Sequence, residues 1–487
     1  MKTIVSIFLT VTSVISTIFS LFFYENYPNG YGGMVFLPFI FLVLFFLFYY
    51  DYIESNSNPF VIYGIIIMQW IRFVLMPPFC AMAGNDNGMI YINPTVSSLK
   101  LAIFFMVIEF LGVSILVKLL VKKNKPKLNK SYSITGNRIV YGLFFAFSFL
   151  LYFAFARGSN LVRFIMIDVG EGERIGDVTN FIDLIIRQFV LCSFILFFVV
   201  SVNHFWIKYL KTSKKKYFYF SLVIALINVS IIVGERRSAQ VYAALCSIWI
   251  LIILFPKFKN LIITYILVTV GIILFFMSVY KFFGAFLYDS YTEALSNSTL
   301  DTGFIAQTLQ SYFFGPENIA ISIDFFNGFN TNIFQLFFDF LRSIFGLNFI
   351  FKDMGTITSI PFNTFVYGFY QETGHVLSGA AYSYGFFGPL FIPLISSINI
   401  VLAILIENLL YRVKSLEVIY ILVYILSRFI TNLFVNTPPL INQATLMGFT
   451  CLMVVILANI FNLKINKKEG VNLLERDDIN IIRDKRI

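Results

Sequence analysis

Residues 218–255 read FYFSLVIALINVSIIVGERRSAQVYAALCSIWILIILF and set two apolar stretches around one short charged motif, GERRSAQ at 234–240. Each stretch is somewhat shorter than the roughly 20 residues that a bilayer-spanning helix needs. The motif is therefore expected close to a membrane surface. Its two arginines fall near the start of the second stretch, where the N–H groups of a helix N-terminus also attract anions. The alternative is an arginine pair that anchors a helix end at the surface.

The composition indicates the class of protein. Hydrophobic residues make up 58% of the chain and charged residues only 13%, and the mean hydropathy is +0.82. A soluble globular chain carries about 25% charged residues. The sequence therefore predicts an all-α polytopic membrane protein, with a single integral membrane domain over residues 1–487.

Long apolar runs predict about twelve transmembrane helices. The first run is expected to stay in the mature protein as a helix, because no small-residue cleavage site of a signal peptide follows it. The predicted spans are residues 4–24, 34–50, 59–77, 101–120, 139–156, 184–202, 218–233, 241–255, 261–281, 387–406, 418–434 and 441–462.

Lysines orient these helices. They recur in alternate loops, as at 122–130, 208–216 and 257–259, and the 51–58 loop is the one member of the set that lacks them. This is the positive-inside pattern, so the net charge of +10 does not indicate nucleic acid. Both termini are predicted to be cytoplasmic, with residues 463–487 as a cytoplasmic tail.

The opposite face carries arginine instead of lysine. Orientation requires only positive charge, whereas the planar fork of arginine binds phosphate or carboxylate oxygens bidentately. We therefore expect an anion to be bound there. For Arg163 and Arg174, pairing with acidic neighbours such as Asp168 is the alternative. The candidate anion-binding residues are Arg72, Arg187, Arg236, Arg237, Arg342 and Arg428.

Residues 282–386 form one long predicted outer loop. The loop is rich in Phe, Tyr, Asn and Gly, and so many large apolar side chains argue against disorder. We predict that it folds into short helices that cap a cavity open to the outer leaflet. Residues 333–344 have apolar side chains on most of one face and are predicted to form a helix in the membrane interface.

Other ionisable residues are candidates for chemistry. His375 is the one histidine on the predicted outer face, and Glu372 lies three residues before it, so this pair is the candidate general base. A solvated loop histidine is the alternative. Glu109 lies within a span and requires a partner that the sequence does not name. The acidic run at 168–177 fits no known calcium spacing, and the four cysteines lack metal-ligand spacing, so neither a metal nor a cofactor is predicted.

Four features together resemble the Wzy-type polymerases, which are the O-antigen and capsule repeat-unit polymerases. They are about twelve spans, an outer Gly-x-Arg turn between two mid-chain spans, one long outer loop, and a Gly/Ser-rich Tyr-Gly-x-x-Gly segment before the next span. The resemblance covers most of the chain as architecture and a short part of it as motif. The matching residues are Gly234, Arg236, Arg237, Gly379, Tyr384, Gly385 and Gly388.

This resemblance implies a glycosyltransferase whose fold is similar to that of membrane enzymes with lipid-linked donors. Such a polymerase moves a growing glycan from polyprenyl diphosphate onto the next lipid-linked repeat unit, at the outer face of the bacterial cytoplasmic membrane. The anion at the arginines would then be a lipid diphosphate, stabilised electrostatically without a cofactor. The implied partners are polyprenyl-diphosphate-linked oligosaccharides, membrane lipids, and the chain-length regulator and flippase of the same pathway.

An O-antigen ligase and a lipid-linked oligosaccharide flippase are the alternative functions. A ligase would share the fold and the arginines and would differ in its acceptor. A flippase is expected to have two similar halves and charged residues along a central path. The long outer loop therefore favours an enzyme over a flippase.

Overall fold

The computed structural model describes residues 2–87, 92–124, 131–156, 162–170, 181–233, 237–297, 301–351, 355–371 and 374–469. Helices dominate these residues, and their two strands form one short ribbon. The predicted fold class is confirmed, because the chain is an all-α polytopic membrane protein.

All twelve predicted spans overlap helices, but the last three residues of the span 218–233 form a strand instead. Two of these helices, Lys216–Ser230 and Leu416–Ile430, have 15 residues each. They are therefore about 22 Å long, which is less than the roughly 30 Å of a hydrocarbon core. The described residues contain ten helices that are long and apolar enough to cross a membrane: Lys2–Phe22, Gly32–Tyr52, Pro59–Ala83, Val96–Leu120, Arg138–Ala156, Ile182–Thr212, Arg237–Leu254, Pro256–Phe282, Pro389–Leu410 and Thr437–Asn462.

Several spans combine an α-helix with a π-helical or 3₁₀ turn, and the α-helices are therefore labelled separately. The two strands are β1 (Val162–Phe164) and β2 (Ile231–Val233). The α-helices are α1 (Lys2–Phe22), α2 (Leu37–Leu44), α3 (Pro59–Trp70), α4 (Met76–Ala83), α5 (Val96–Leu120), α6 (Arg138–Leu151), α7 (Phe181–Thr212), α8 (Lys216–Ser230), α9 (Arg237–Leu254), α10 (Lys259–Phe282), α11 (Tyr291–Ser296), α12 (Thr302–Tyr312), α13 (Pro316–Gly328), α14 (Ile333–Ser343), α15 (Leu347–Ile350), α16 (Ser359–Tyr367), α17 (Gly379–Phe387), α18 (Leu394–Leu410), α19 (Leu416–Ile430) and α20 (Thr437–Glu469).

The chain divides into two compact units, each built from stretches that are distant in sequence. Unit 1 comprises Met1–Lys130, Phe283–Val413 and Leu422–Met447. Unit 2 comprises Ser131–Phe282, Lys414–Ile421 and Gly448–Ile487. The sequence predicts one domain over residues 1–487, because no linker marks a boundary between these units.

The long predicted loop belongs to unit 1 and forms the seven short helices α11 to α17. This part of the prediction is confirmed. The helices pack among the apolar helices of the same unit: α12 contacts α4, and α13 contacts α5 and α17. Most residues of α13 are buried, including its polar residues Glu317, Asn318 and Ser322. A cavity beneath these helices stays a prediction.

Asp324 of α13 fixes that helix to the N-terminus of α5. Its Oδ2 accepts a hydrogen bond from the backbone N–H of Thr95 at 2.7 Å. Its Oδ1 accepts from the hydroxyl groups of Thr95 and Ser98 at 2.9 and 2.6 Å. A carboxylate is favourable there, because the first N–H groups of a helix have no intrahelical acceptor.

Two buried glutamates accept hydrogen bonds from residues at the starts of other helices. In unit 1, the carboxylate of Glu407 accepts hydrogen bonds from the backbone N–H groups of Phe60 and Val61, at 2.9 and 3.0 Å, in the first turn of α3. In unit 2, Glu417 accepts from the hydroxyl of Tyr141 on α6 at 3.0 Å. Each glutamate therefore stabilises a helix that lies far from it in sequence.

Close packing of α5 against the start of α18 depends on Gly112. A Cβ atom at this position would lie 2.5 Å from Cγ and 2.6 Å from Cβ of Pro393, whose ring cannot rotate away. Gly142 of α6 offers a control, because among the described residues no heavy atom lies within 4 Å of a Cβ added there.

We expect Gly112→Ala to lower the free energy of unfolding by about 1–3 kcal/mol, because overpacking forces neighbouring atoms to move. Gly142→Ala is expected to be neutral or to stabilise the helix by about 0.5–1 kcal/mol. Thermal unfolding of the detergent-solubilised variants would measure both effects. Equal melting temperatures for Gly112→Ala and the unsubstituted protein would contradict the predicted clash.

Candidate functional site

The GERRSAQ motif connects a strand to a helix in unit 2. β2 ends at Val233, and α9 begins at Arg237, so this arginine occupies the helix start that the sequence predicts. N–H groups in the first turn of a helix attract anions. Gly234, Glu235 and Arg236 lie outside the described residues, and the role expected for Arg236 stays a prediction.

Arg237 is oriented by two residues near the end of α10. Its Nη1 donates a hydrogen bond to Ser278 Oγ at 3.2 Å. Its guanidinium lies over the ring of Phe282, 4.1 Å from the ring centroid. Stacking on an aromatic ring fixes the plane of the arginine fork, and the N–H donors lie around the edge of that plane.

A short β-ribbon holds the segment that precedes the motif. β1 and β2 pair antiparallel, with Val162 opposite Val233. The backbone N–H of Ile165 donates to the carbonyl of Ser230 at 2.7 Å. From the other side of the motif, Gln240 Nε2 donates to the carbonyl of Ile231 at 3.0 Å. The last residue of the motif is therefore bonded to the strand that precedes the motif.

Arg163 of β1 forms an ion pair with Asp168, at 3.0 Å between Nη1 and Oδ2. The sequence allows two roles for Arg163, namely binding of an anion and pairing with an acidic neighbour. The ion pair favours the second role. The rest of the acidic run, namely Glu171, Glu173 and Asp177, lies outside the described residues, as does Arg174.

Arg72 is fully buried in unit 1, in a π-helical turn between α3 and α4. Its Nη1 lies 2.9 Å from Oε2 of Glu109, and neither side chain has exposed surface. Glu109 also accepts a hydrogen bond from Ser396 Oγ at 2.5 Å. This ion pair supplies the partner that the sequence does not name for Glu109. It also argues against the expectation that Arg72 binds a diphosphate, because its charge is compensated inside the protein.

The turn between α12 and α13 reaches Arg72. Nη2 of Arg72 donates to the carbonyl of Phe314 at 3.1 Å. Phe314 has a φ of 54°, which is unusual for a bulky residue. The next residue, Gly315, leaves no room for a side chain, since an added Cβ would lie 2.5 Å from Met76 Sδ and 3.0 Å from Gln310 Cα. The backbone there is shaped to bring a carbonyl to the buried arginine.

The other candidate arginines are half-buried and are divided between the units. Arg187 lies on α7 in unit 2. Arg342 and Arg428 lie in unit 1, in the last turns of α14 and α19. Arg342 Nη1 donates to the carbonyl of Gly355 at 2.6 Å, and its guanidinium lies 5.6 Å from the ring centroid of Phe338. These three residues keep the role of candidates.

His375 lies in unit 1, just before α17. Its backbone N–H donates to Asn363 Oδ1 at 2.7 Å, and its ring centroid lies 5.6 Å from that of Tyr367. Burial lowers the pKa of His375 below its ordinary value, so the imidazole is neutral at pH 7, as a general base requires. Glu372, the second member of the predicted pair, lies outside the described residues.

The structure also shows a buried carboxylate–tyrosine contact that is not predicted from the sequence. Asp339 of α14 is 3% exposed, and its Oδ2 accepts a hydrogen bond from the hydroxyl of Tyr382 on α17 at 2.6 Å. Burial and the neighbouring carboxylate hold the pKa of Tyr382 well above its ordinary value, so the hydroxyl keeps its proton and donates it. The available signal was an acidic residue within the mostly apolar segment 333–344.

Within the part of the chain that the structure describes, no three His, Cys, Asp or Glu side chains form a cluster that could hold a metal ion. All four cysteines are buried and free of disulfides.

Comparisons with protein-family models, with curated proteins and with solved structures found no match. The class of protein therefore rests on the fold, which is that of an all-α multi-pass membrane protein.

The Arg72–Glu109 pair predicts a specific pattern of stability changes. Arg72→Met leaves a buried carboxylate without its counter-charge, and we expect the free energy of unfolding to fall by about 3–5 kcal/mol. The double variant Arg72→Met, Glu109→Leu removes both charges and is expected to be more stable than Arg72→Met alone. Thermal unfolding in detergent would give the comparison.

The matched control is the ion pair of Lys123 and Asp51, which has a similar distance of 2.7 Å but side chains that are 59% and 60% exposed. Lys123→Met is expected to leave the melting temperature unchanged, because water compensates both charges. A double variant at Arg72 and Glu109 that is less stable than Arg72→Met would show that the two charges do not depend on each other.

Proposed function

We propose that this protein polymerises lipid-linked oligosaccharide repeat units into a surface polysaccharide, such as O-antigen or capsule. The supporting observation is the position of Arg237. It lies at the first residue of α9, directly after the Gly-x-Arg motif, and its guanidinium contacts Ser278 and the ring of Phe282. The start of a helix and the fork of an arginine both favour binding of a diphosphate.

The proposed reaction is a glycosyl transfer. A base removes the proton of the acceptor hydroxyl, and the hydroxyl oxygen attacks the anomeric carbon of the donor glycan. The bond between that carbon and the diphosphate oxygen breaks, and polyprenyl diphosphate leaves. Arg236 and Arg237 stabilise the charge that develops on this leaving group.

An enzyme is favoured over a flippase by the unequal make-up of the two units. Seven short helices follow one another between α10 and α18, and all of them belong to unit 1. Two similar halves, as many transporters have, would not concentrate such an insertion in one unit. A ligase would use the same arginines, and its acceptor would distinguish it.

We further propose that the protein lies in the bacterial cytoplasmic membrane with both termini in the cytoplasm. Asn297 and Thr212 are exposed and lie on opposite predicted sides, and the four native cysteines are buried. A membrane-impermeant maleimide is expected to label Asn297→Cys in intact cells and Thr212→Cys only after lysis. The reverse pattern would overturn the orientation and the outer location of Arg237.

The function is tested in a strain that lacks this protein. We expect single lipid-linked repeat units to accumulate on the outer face, and the unsubstituted protein to restore long polymer. The double variant Arg236→Lys, Arg237→Lys is expected to fail nearly as badly as the double alanine variant. Losing the forks should raise the barrier by about 2 kcal/mol or more, about 30-fold in rate. Polymer-length profiles at matched protein levels would measure this.

Arg412 provides the matched control, because it is exposed and lies in a predicted cytoplasmic loop. Arg412→Lys and Arg412→Ala are expected to make normal polymer. Repeat units trapped on the inner face of the deletion strain would indicate a flippase, and long polymer left on its lipid carrier would indicate a ligase. Normal polymer from the double lysine variant would leave the arginines as a membrane anchor.

A further inference from the structure

The short helices α14 and α15 expose a continuous set of large apolar side chains. On α14, Ile333, Phe334 and Phe337 are 55%, 79% and 64% exposed. On α15, Phe349 and Ile350 are 51% and 70% exposed. An exposed apolar patch of this kind marks a surface that another molecule or a membrane covers. We call these five residues the α14–α15 face.

Contacts on the opposite side of α14 fix the direction of this face. Asp339 is buried and accepts hydrogen bonds from the hydroxyl of Tyr382 at 2.6 Å and from the backbone N–H of Thr358 at 3.0 Å. Gln335 Nε2 donates to the same carboxylate at 3.0 Å. Because these bonds hold the polar side of α14 against unit 1, the apolar side chains point away from the unit.

A hydrogen bond places this element beside a membrane span. The backbone N–H of Phe345, in the turn between α14 and α15, donates to Thr445 Oγ1 at 3.0 Å. Thr445 lies within the apolar span Thr437–Asn462, about two turns or 12 Å along the helix from Thr437. Both residues belong to unit 1. The turn is therefore next to the candidate membrane span of α20.

The position of this turn indicates that lipid covers the α14–α15 face. A segment at the depth of a membrane span meets acyl chains rather than water. α14 has 11 residues and is about 16 Å long, too short to cross a bilayer. An amphipathic helix of this kind lies in the plane of the interface with its apolar side among the lipid chains.

We propose that the α14–α15 face inserts into one leaflet of the membrane, namely the leaflet next to residues 283–388. There it binds lipid acyl chains. This inference does not depend on the proposed reaction. The region between α10 and α18 then contributes to the surface that lies in the membrane. The Asp339–Tyr382 hydrogen bond anchors α14 to α17.

Site-directed spin labelling tests this proposal in lipid nanodiscs. Nitroxide labels are attached singly at Phe334→Cys, Phe337→Cys and Ile350→Cys, and at Asn297→Cys as a control on an exposed polar residue. The four native cysteines are buried, and the unsubstituted protein reports any labelling of them. Collision rates are measured with oxygen, which concentrates in lipid, and with a nickel chelate, which stays in water.

We expect oxygen to relax the labels at 334, 337 and 350 several-fold more effectively, relative to the chelate, than the label at 297. Three separate positions guard against a local effect of one substitution. Chelate access at 334 and 337 equal to that at 297 would show that the face lies in water and overturn the proposal. Dipolar broadening between labels on two protein molecules would show instead that a second copy covers the face.

Discussion

The buried ion pair of Arg72 and Glu109 is the constraint on which unit 1 depends. Along the helix axis, Arg72 lies about 20 Å after the start of α3, and Glu109 lies about 16 Å before the end of α5. Both residues are therefore well inside a hydrocarbon core of about 30 Å. Charges at such depth are costly unless each finds a partner. The pair therefore requires the segments around it to meet there.

Those segments come from four distant parts of the chain. Ser396 of α18 and the backbone N–H of Ala380 in α17 donate to Glu109. The carbonyl of Phe314 accepts from Arg72, and the ring of Phe434 lies 4.5 Å from the guanidinium carbon. The loop that reads as an outer segment in the sequence thus contributes to the polar centre of the unit. The carbonyl of Phe314 in this loop accepts a hydrogen bond from the buried charge of Arg72. This bond explains why the turn at Phe314 enters the helix bundle.

The candidate anion-binding arginines differ in their contacts, and the sequence does not show this difference. Six of them carry the same chemical signal, and residue type alone does not distinguish them. Arg72 is neutralised by a carboxylate 37 positions away, whereas Arg237 is held by a hydroxyl and an aromatic ring. This difference in contacts bears on Arg72, because a guanidinium that is already paired and desolvated inside the protein attracts a substrate weakly. It arises from helix packing, which brings α5 to one arginine and α10 to the other.

The sequence by itself determined the class of protein, the positions of the helical spans and the division of the long loop into short helices. The first two follow from local composition, since a run of about 20 apolar residues forms a helix in a bilayer whatever its neighbours are. Only the tertiary structure decided the two interleaved units, the partner of Glu109, the carboxylate caps at α3 and α5, and the direction of the α14–α15 face. These depend on contacts between residues far apart in the chain, as in the bond between Phe345 and Thr445, and such contacts leave no local pattern to read.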